Sequence, residues 1–376
     1  MPVSRRMVSP SQFPATLKHP VSNRELIFIA LSAIAFRVAI FLTASALFNI
    51  SFDTYICKGD GESYLAYAKA IFGDSSGLRE YDRRVFPGFP ALIAIVHAVG
   101  APIGVAGLAI TWVSAGIAAM LAAKLFDDRR VGWAMVMLIP HWPINSSLVM
   151  SEAPLLALAL AGLCLVRVNR PIPAGLMMGL GGLVRPMACF TVMGAMFSRI
   201  LRREWRSALI CGSAAAAVVL AGIASLHIWT GDAFAGTRIY ANDPGTYRGE
   251  IWMWPFQSLV TTPFRQPVSA WKMIYIWLHV VLTLAACGIL IRQLVRQGRG
   301  LDERDAMALP WLAGNTLFVL CIGSTWGFDH FPRFTIPAMP AMFWAIRAIL
   351  SQRWYWWMLI GIGSFVIGVS GVFTSP

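Results

Sequence analysis

The sequence predicts an all-α, polytopic membrane protein of about ten spans, and three observations carry that prediction. Of its 376 residues, 57% are hydrophobic and only 13% are charged, whereas a soluble domain is nearer half apolar and a quarter charged. Apolar stretches recur along the whole chain and no polar interval exceeds about forty residues, which leaves no room for a separate soluble domain. Lys and Arg fall in short connectors between those stretches, where orientation signals are expected.

The elements follow in order. A polar tail, residues 1–24, carries Arg5, Arg6, Lys18 and Arg24, and a single transmembrane domain is expected over 25–376. The run Leu26–Phe48 is too long for a signal-peptide core and lacks a small-residue cleavage site, so it reads as a retained first span with a cytoplasmic N-terminus. A first outer loop covers 49–100. Within it Pro87–Val99 is short for a hydrocarbon core of ~30 Å and reads as a re-entrant or surface helix.

Further spans are expected near 104–123, 131–149, 153–168, 173–198, 207–229, 272–291, 307–323, 335–349 and 355–372, with 173–198 a helical hairpin broken at Arg185-Pro186. On this topology the inner loops collect Lys124, Arg129 and Arg130, then Arg167 and Arg170, then Arg199 to Arg206, then Arg292 to Arg304, as the positive-inside rule requires. A second outer loop, 230–271, holds Trp252, Trp254, Phe256 and Trp271 beside Arg238, Tyr240, Asp243, Arg248 and Arg265. It reads either as an interfacial aromatic belt or as a lid that stacks on sugar or gates an acceptor.

Several function classes are disfavoured. The net charge of +13 is a matter of topology here, and no nucleic-acid partner is expected. Five of the six cysteines lie in apolar stretches, against a disulfide scaffold. No phosphate-binding glycine loop, metal-spaced His/Cys cluster or nucleophile-elbow serine is present.

The most informative stretch is Gly59-Asp60-Gly61-Glu62-Ser63-Tyr64-Leu65. Asp60 precedes an amphipathic run, so its carboxylate is either a helix N-cap or a general base for an acceptor hydroxyl, provided that burial raises its pKa toward working pH. Glu62 is the second catalytic candidate, and Asp53 is a weaker one. Arg185, at a predicted helix break, and Arg333, in a short turn on the same side, are costly at the hydrocarbon edge. Each either serves function or snorkels to the headgroups. Glu152, beside a span end, either positions an acceptor or a metal or answers the helix dipole. Arg37, inside the first span, is expected to pair with an internal carboxylate or carbonyl.

Together with Arg84-Val85-Phe86-Pro87-Gly88-Phe89-Pro90, the Asp60 stretch resembles the integral-membrane GT-C glycosyltransferases. It is similar in particular to bacterial relatives of the second mannosyltransferase of GPI-anchor synthesis and of dolichyl-phosphate-mannose protein mannosyltransferases. Gly59 stands where the first subgroup has Trp, and Val85-Phe86-Pro87 replaces its Phe-Phe-Pro. Ser151-Glu152-Ala153-Pro154, Leu183-Val184-Arg185-Pro186 and Arg333-Phe334-Thr335-Ile336-Pro337-Ala338-Met339-Pro340 resemble further elements of that superfamily, in its order.

The resemblance implies transfer of a hexose, mannose in that subgroup, from a polyprenyl- or dolichyl-phosphate donor, with inversion at the anomeric carbon. It implies Asp60 as base, and Arg333, Arg185, Glu152, Tyr64 and Arg84 as the residues that bind substrate and donor phosphate. The acceptor is a lipid, glycan or protein at the outer face of the membrane, expected to be a bacterial inner membrane, and a divalent metal is an open alternative. The rival reading is a non-catalytic carrier or scaffold of the same fold, which should depend on charges buried in mid-span. Apart from Arg37 the predicted spans have few.

Overall fold

The computed structural model describes residues 20–232, 234, 238–239, 252–265, 268–350 and 353–374, and among these there is no β-strand. Helix α1 (Asn23–Phe48) starts at a capping box, in which Ser22 Oγ accepts from the Glu25 N–H and the Glu25 carboxylate accepts from the Ser22 N–H. It packs on α5 (Ile103–Phe126), where Gly116 and a run of alanines let the two backbones approach closely.

The segment 49–100, expected as a first outer loop, is folded rather than extended. It contains α2 (Phe52–Ile56), α3 (Gly61–Ile71), a 3-10 turn at Glu80–Arg84 and α4 (Gly88–Ala98). At 11 residues α4 is ~16 Å long, too short to cross a bilayer, as expected for this segment. Tyr55, Tyr64, Tyr67, Phe89 and Ile93 from this loop bury against Val149, Met150 and Leu155, forming one apolar cluster. Beneath it, Asp82 is fully buried and accepts from Ser63 Oγ at 2.7 Å and from Arg79, which fixes the turn that carries Arg84.

The expected span at 131–149 is not continuous. It forms α6 (Arg129–Met137) and α7 (His141–Ser147), parted at Pro140, and α7 in turn meets α8 (Glu152–Arg167) at a bend of 103°. The freed carbonyls are satisfied by side chains, as buried backbone acceptors must be. Arg37 donates to Val136 O at 2.8 Å and to Met135 O, and also to Ser146 Oγ at 2.9 Å, so the expectation of an internal carbonyl partner is met. At the other break Tyr55 Oη and Trp112 Nε1 both donate to Ser147 O, at 3.1 and 3.0 Å.

Residues 173–198 are interrupted where expected. Helix α9 (Pro171–Val184) ends at Arg185, whose backbone is extended before Pro186, and α10 (Cys189–Leu201) follows a short 3-10 turn. Then come α11 (Trp205–Thr230), α12 (Gln257–Arg265), α13 (Ala270–Gln297), α14 (Glu303–Leu320), the short α15 (Ser324–Asp329) and α16 (Phe331–Phe334), α17 (Met339–Ala345) and α18 (Trp354–Thr374). The expected span at 335–349 is a 3-10 turn plus the seven residues of α17, because Pro337 and Pro340 prevent a regular helix from starting earlier.

Among the described residues five helices are long and apolar enough to cross a membrane, six if the bent α7–α8 pair is one span, and Gly88–Ala98, Pro171–Val184 and Pro186–Leu201 are shorter apolar helical segments. The protein is an integral membrane protein with an all-helical fold.

Candidate active site

Asp60 lies where the backbone folds back on α2. Gly59 takes a left-handed φ of 63°, and a Cβ at Gly61 would stand 2.1 Å from Ile56 O. Gly61→Ala is therefore expected to force the backbone apart and destabilise the loop by about 1–3 kcal/mol. A thermal unfolding midpoint in detergent equal to that of the wild type would sink this account of the turn.

The Asp60 carboxylate does not cap α3, which removes the N-cap reading. Its Oδ1 accepts from Arg84 Nη2 at 2.7 Å and its Oδ2 accepts from Arg333 Nη2. Arg333 Nε also donates to Glu152 Oε1 at 2.7 Å, so one guanidinium bridges two carboxylates. Arg185 reaches the same Glu152 oxygen at 3.0 Å and donates from Nε to Ser151 Oγ at 2.7 Å. Tyr64 Oη and Ser151 Oγ share a hydrogen bond of 2.7 Å.

Four parts of the chain thus converge. The first loop supplies Asp60, Tyr64 and Arg84; the α7–α8 bend supplies Ser151 and Glu152; the breaks at Arg185 and at α16 supply the two other cations. Each is held at a helix end or break, where the chain has turned out of regular structure and a side chain can project into a shared space. Arg84 is further oriented by its stack over the Tyr81 ring, 3.7 Å from its centroid.

Three guanidinium groups face two carboxylates here, a surplus of one positive charge. Glu152 is completely buried, and its Oε2 has no hydrogen-bond partner among the described residues. Burial pushes the Asp60 carboxyl up. The charge and hydrogen bond of Arg333, with Arg84 and Arg185 behind it, outweigh burial and hold it well below the usual carboxylate range. The pKa of Asp60 is therefore displaced downward, opposite to the rise that a free-standing base was expected to show.

Glu62 does not join the network. It is exposed and pairs with Arg79 at 3.1 Å, because two residues along a helix is about 200° of rotation away from Asp60. Asp53 is exposed as well. Of the segment 230–271, expected as a second outer loop, Tyr240, Asp243, Arg248 and the Arg265 side chain lie outside the described residues. Trp252, Trp254 and Trp271 are exposed, Arg238 pairs with Asp232, and Met253 N donates to Cys321 O, which ties the end of this loop to α14. Asp329 pairs with Lys272 at 2.9 Å.

A divalent cation does not suit this donor set. Among the described residues no three His, Cys, Asp or Glu side chains gather to hold one, and the two carboxylates present are already shared among arginines whose charge opposes a cation.

No family model and no curated protein matches the chain. Solved structures do match it. ArnT from Cupriavidus metallidurans bound to undecaprenyl phosphate aligns at 15% identity with a TM-score of 0.50, over 86% of this chain and 62% of that one. The same protein in the apo state aligns at 14% identity with a TM-score of 0.50, over 88% and 62%. The fold resembles that of ArnT. This chain spans 62% of the length of those structures, and at such identity the likeness is one of fold.

Ser151, the first residue of the Ser151-Glu152-Ala153-Pro154 element, links Tyr64 to Arg185. Two features of the site escape a reading by motif. The buried Asp82 looks like one more solvated charge in the run Glu80-Tyr81-Asp82-Arg83-Arg84. The bend between α7 and α8 lies at the seam of two apolar stretches that hydropathy treats as ordinary span ends.

Proposed function

We propose that this protein is a glycosyltransferase of GT-C type. It would move a hexose, mannose by the motif resemblance, from a polyprenyl-phosphate-linked donor to an acceptor hydroxyl on the outer face of a bacterial inner membrane. The observation that carries the reading is the paired network itself, in which two carboxylates and three arginines with a net positive charge meet among helix breaks beside the first loop. The bound undecaprenyl phosphate of the ArnT structure supports the class of donor.

The donor phosphate is an anion that competes with Asp60 and Glu152 for Arg333 and Arg185. As it takes up Arg333, the force that depresses the Asp60 pKa weakens, and the carboxylate becomes a stronger base when substrate is in place. Asp60 accepts the proton of the acceptor hydroxyl while that oxygen forms its bond to the anomeric carbon. The bond from that carbon to the phosphate oxygen breaks on the opposite face, which inverts the centre. The electron pair leaves on the polyprenyl phosphate, whose added negative charge is met by the guanidinium groups. Arg84 keeps Asp60 in place after Arg333 has turned to the phosphate.

A pH signature follows. With the Asp60 pKa depressed, the carboxylate stays ionised in the free enzyme at every pH above about 4, and its contribution to stability is lost only as pH falls below the ordinary carboxylate range. The acid limb of kcat/KM, which reports the free enzyme, should therefore show no Asp60 titration above about pH 4, while the acid limb of kcat, which reports the complex, should lie at higher pH. Coincident limbs would contradict the release of Asp60 by the donor.

The test of the function is transfer of radiolabelled sugar from a panel of polyprenyl-phosphate donors in membranes that express the protein, with unlabelled undecaprenyl phosphate as competitor. Transfer that rises with expression and is inhibited by the competitor supports the reading. No transfer from any donor would favour the carrier or scaffold.

A further inference from the structure

We propose a second ligand site, for an anionic phospholipid, at the end of the helix bundle remote from Asp60. A cavity of about 750 Å³ opens there among the starts of α1, α6 and α18. Helix α1 has 26 residues and is ~39 Å long. Its first turns border the cavity through Glu25 and Phe28, and its last residue leads into the loop of Asp60, so the two sites lie on opposite faces.

The cavity is amphipathic in the way a phospholipid is. Arg129, Arg130 and Arg353 stand at its mouth. Arg130 is clamped by Asp128, with Nη2 to Oδ2 at 2.6 Å, and its charge is answered within the protein. Arg129 is held loosely, 3.4 Å from Glu25, with 55% of its side chain exposed. Arg353 is exposed, donates to Tyr355 Oη at 2.7 Å and lies over that ring. A phosphate at the mouth can therefore take up Arg129 without disturbing a buried pair, and the exposed Arg353 lines the same cavity.

Below the mouth the lining turns apolar. From Trp354 to Gly361 the cavity follows α18 for seven residues, ~10 Å into the membrane. Its wall there is Phe28, edge-on to Trp133 with ring centroids 5.7 Å apart, and Met358. Phe28 and Met358 are 62% and 51% exposed, a poor surface for a small soluble anion and a good one for an acyl chain. A basic opening between spans, continued by an apolar groove, suits a lipid that carries a net negative headgroup.

The test uses the full-length protein in detergent, titrated with dioleoyl phosphatidylglycerol or dioleoyl phosphatidylcholine and read by native mass spectrometry. The wild type should retain phosphatidylglycerol in preference to phosphatidylcholine. The double substitution Arg129→Gln/Arg353→Gln should weaken that binding roughly thirtyfold, and Arg129→Lys/Arg353→Lys should restore most of it. Glycerol 1-phosphate, which has the phosphate without the chains, should not displace the lipid. Phe28→Ser, at the exposed wall, should weaken retention with the arginines intact and serves should the double variant be unstable. Equal retention of the two lipids, unchanged binding by the Gln variant, or displacement by glycerol 1-phosphate would each overturn the proposal.

Discussion

Asp60→Asn is expected to lower sugar transfer by about 10²- to 10⁴-fold, the range that loss of a positioned general base commands. The amide has nearly the volume of the carboxylate, so the turn at Gly59 and Gly61 should survive. Its nitrogen, however, is a donor facing two guanidinium donors, and its oxygen can neither take the acceptor proton nor hold Arg84 by charge. The measurement is initial rate at saturating donor, normalised to folded protein by size-exclusion profile. If the variant keeps half of the wild-type rate, Asp60 is not the base, and Glu152, the other carboxylate on Arg333, becomes the candidate.

Arg333→Ala should cost both stability and activity. The residue joins Asp60 to Glu152, and its removal leaves two poorly solvated carboxylates with one arginine each. Breaking a buried pair in this way costs about 3–5 kcal/mol. Loss of a donor to the leaving phosphate should lower kcat by about 10²- to 10³-fold besides. Arg333→Lys separates the two effects. It keeps the charge, but a point ammonium cannot present the Nε and Nη2 edges to two carboxylates at once. Its thermal midpoint should fall less than that of the Ala variant while transfer remains low. A Lys variant with wild-type kcat and KM would show that the bridge is not part of the chemistry.

Much of this site could be read without coordinates because its residues are expensive where they stand. Asp60, Glu152, Arg185 and Arg333 lie at the ends of apolar segments predicted to share one side, and ionic groups in such places need partners. The identity of those partners could not be read: Arg333 reaches across 273 positions to Asp60 and 181 to Glu152. Composition alone makes Glu62 look like an alternative to Asp60, because it carries no information on the rotation between them along the helix. Burial alone would likewise raise the pKa of Asp60, and the cations that override burial come from distant elements. The interrupted span at 131–149 shows the same limit. Hydropathy sums residues and is blind to Pro140, whereas the carbonyls freed at the break are answered by Arg37, far upstream, together with Trp142 and Ser364.

The Arg37 contact orders events during synthesis. Arg37 precedes Val136 by 99 residues, so at ribosomal rates of about 5–20 residues per second α1 is made about 5–20 seconds before the acceptors that Arg37 finds on α6 exist. During that interval the nascent helix carries near its midpoint a cation bonded only to Ala33 O of that helix, a burden of about 2.5–3.5 kcal/mol at the translocon. Its strongly apolar flanks, with a mean hydropathy of 2.4 over the best window, can bear that load. Membrane insertion of the first helix and breakage of the sixth are therefore two halves of one bargain, struck early and completed only when the later segment arrives to receive the charge.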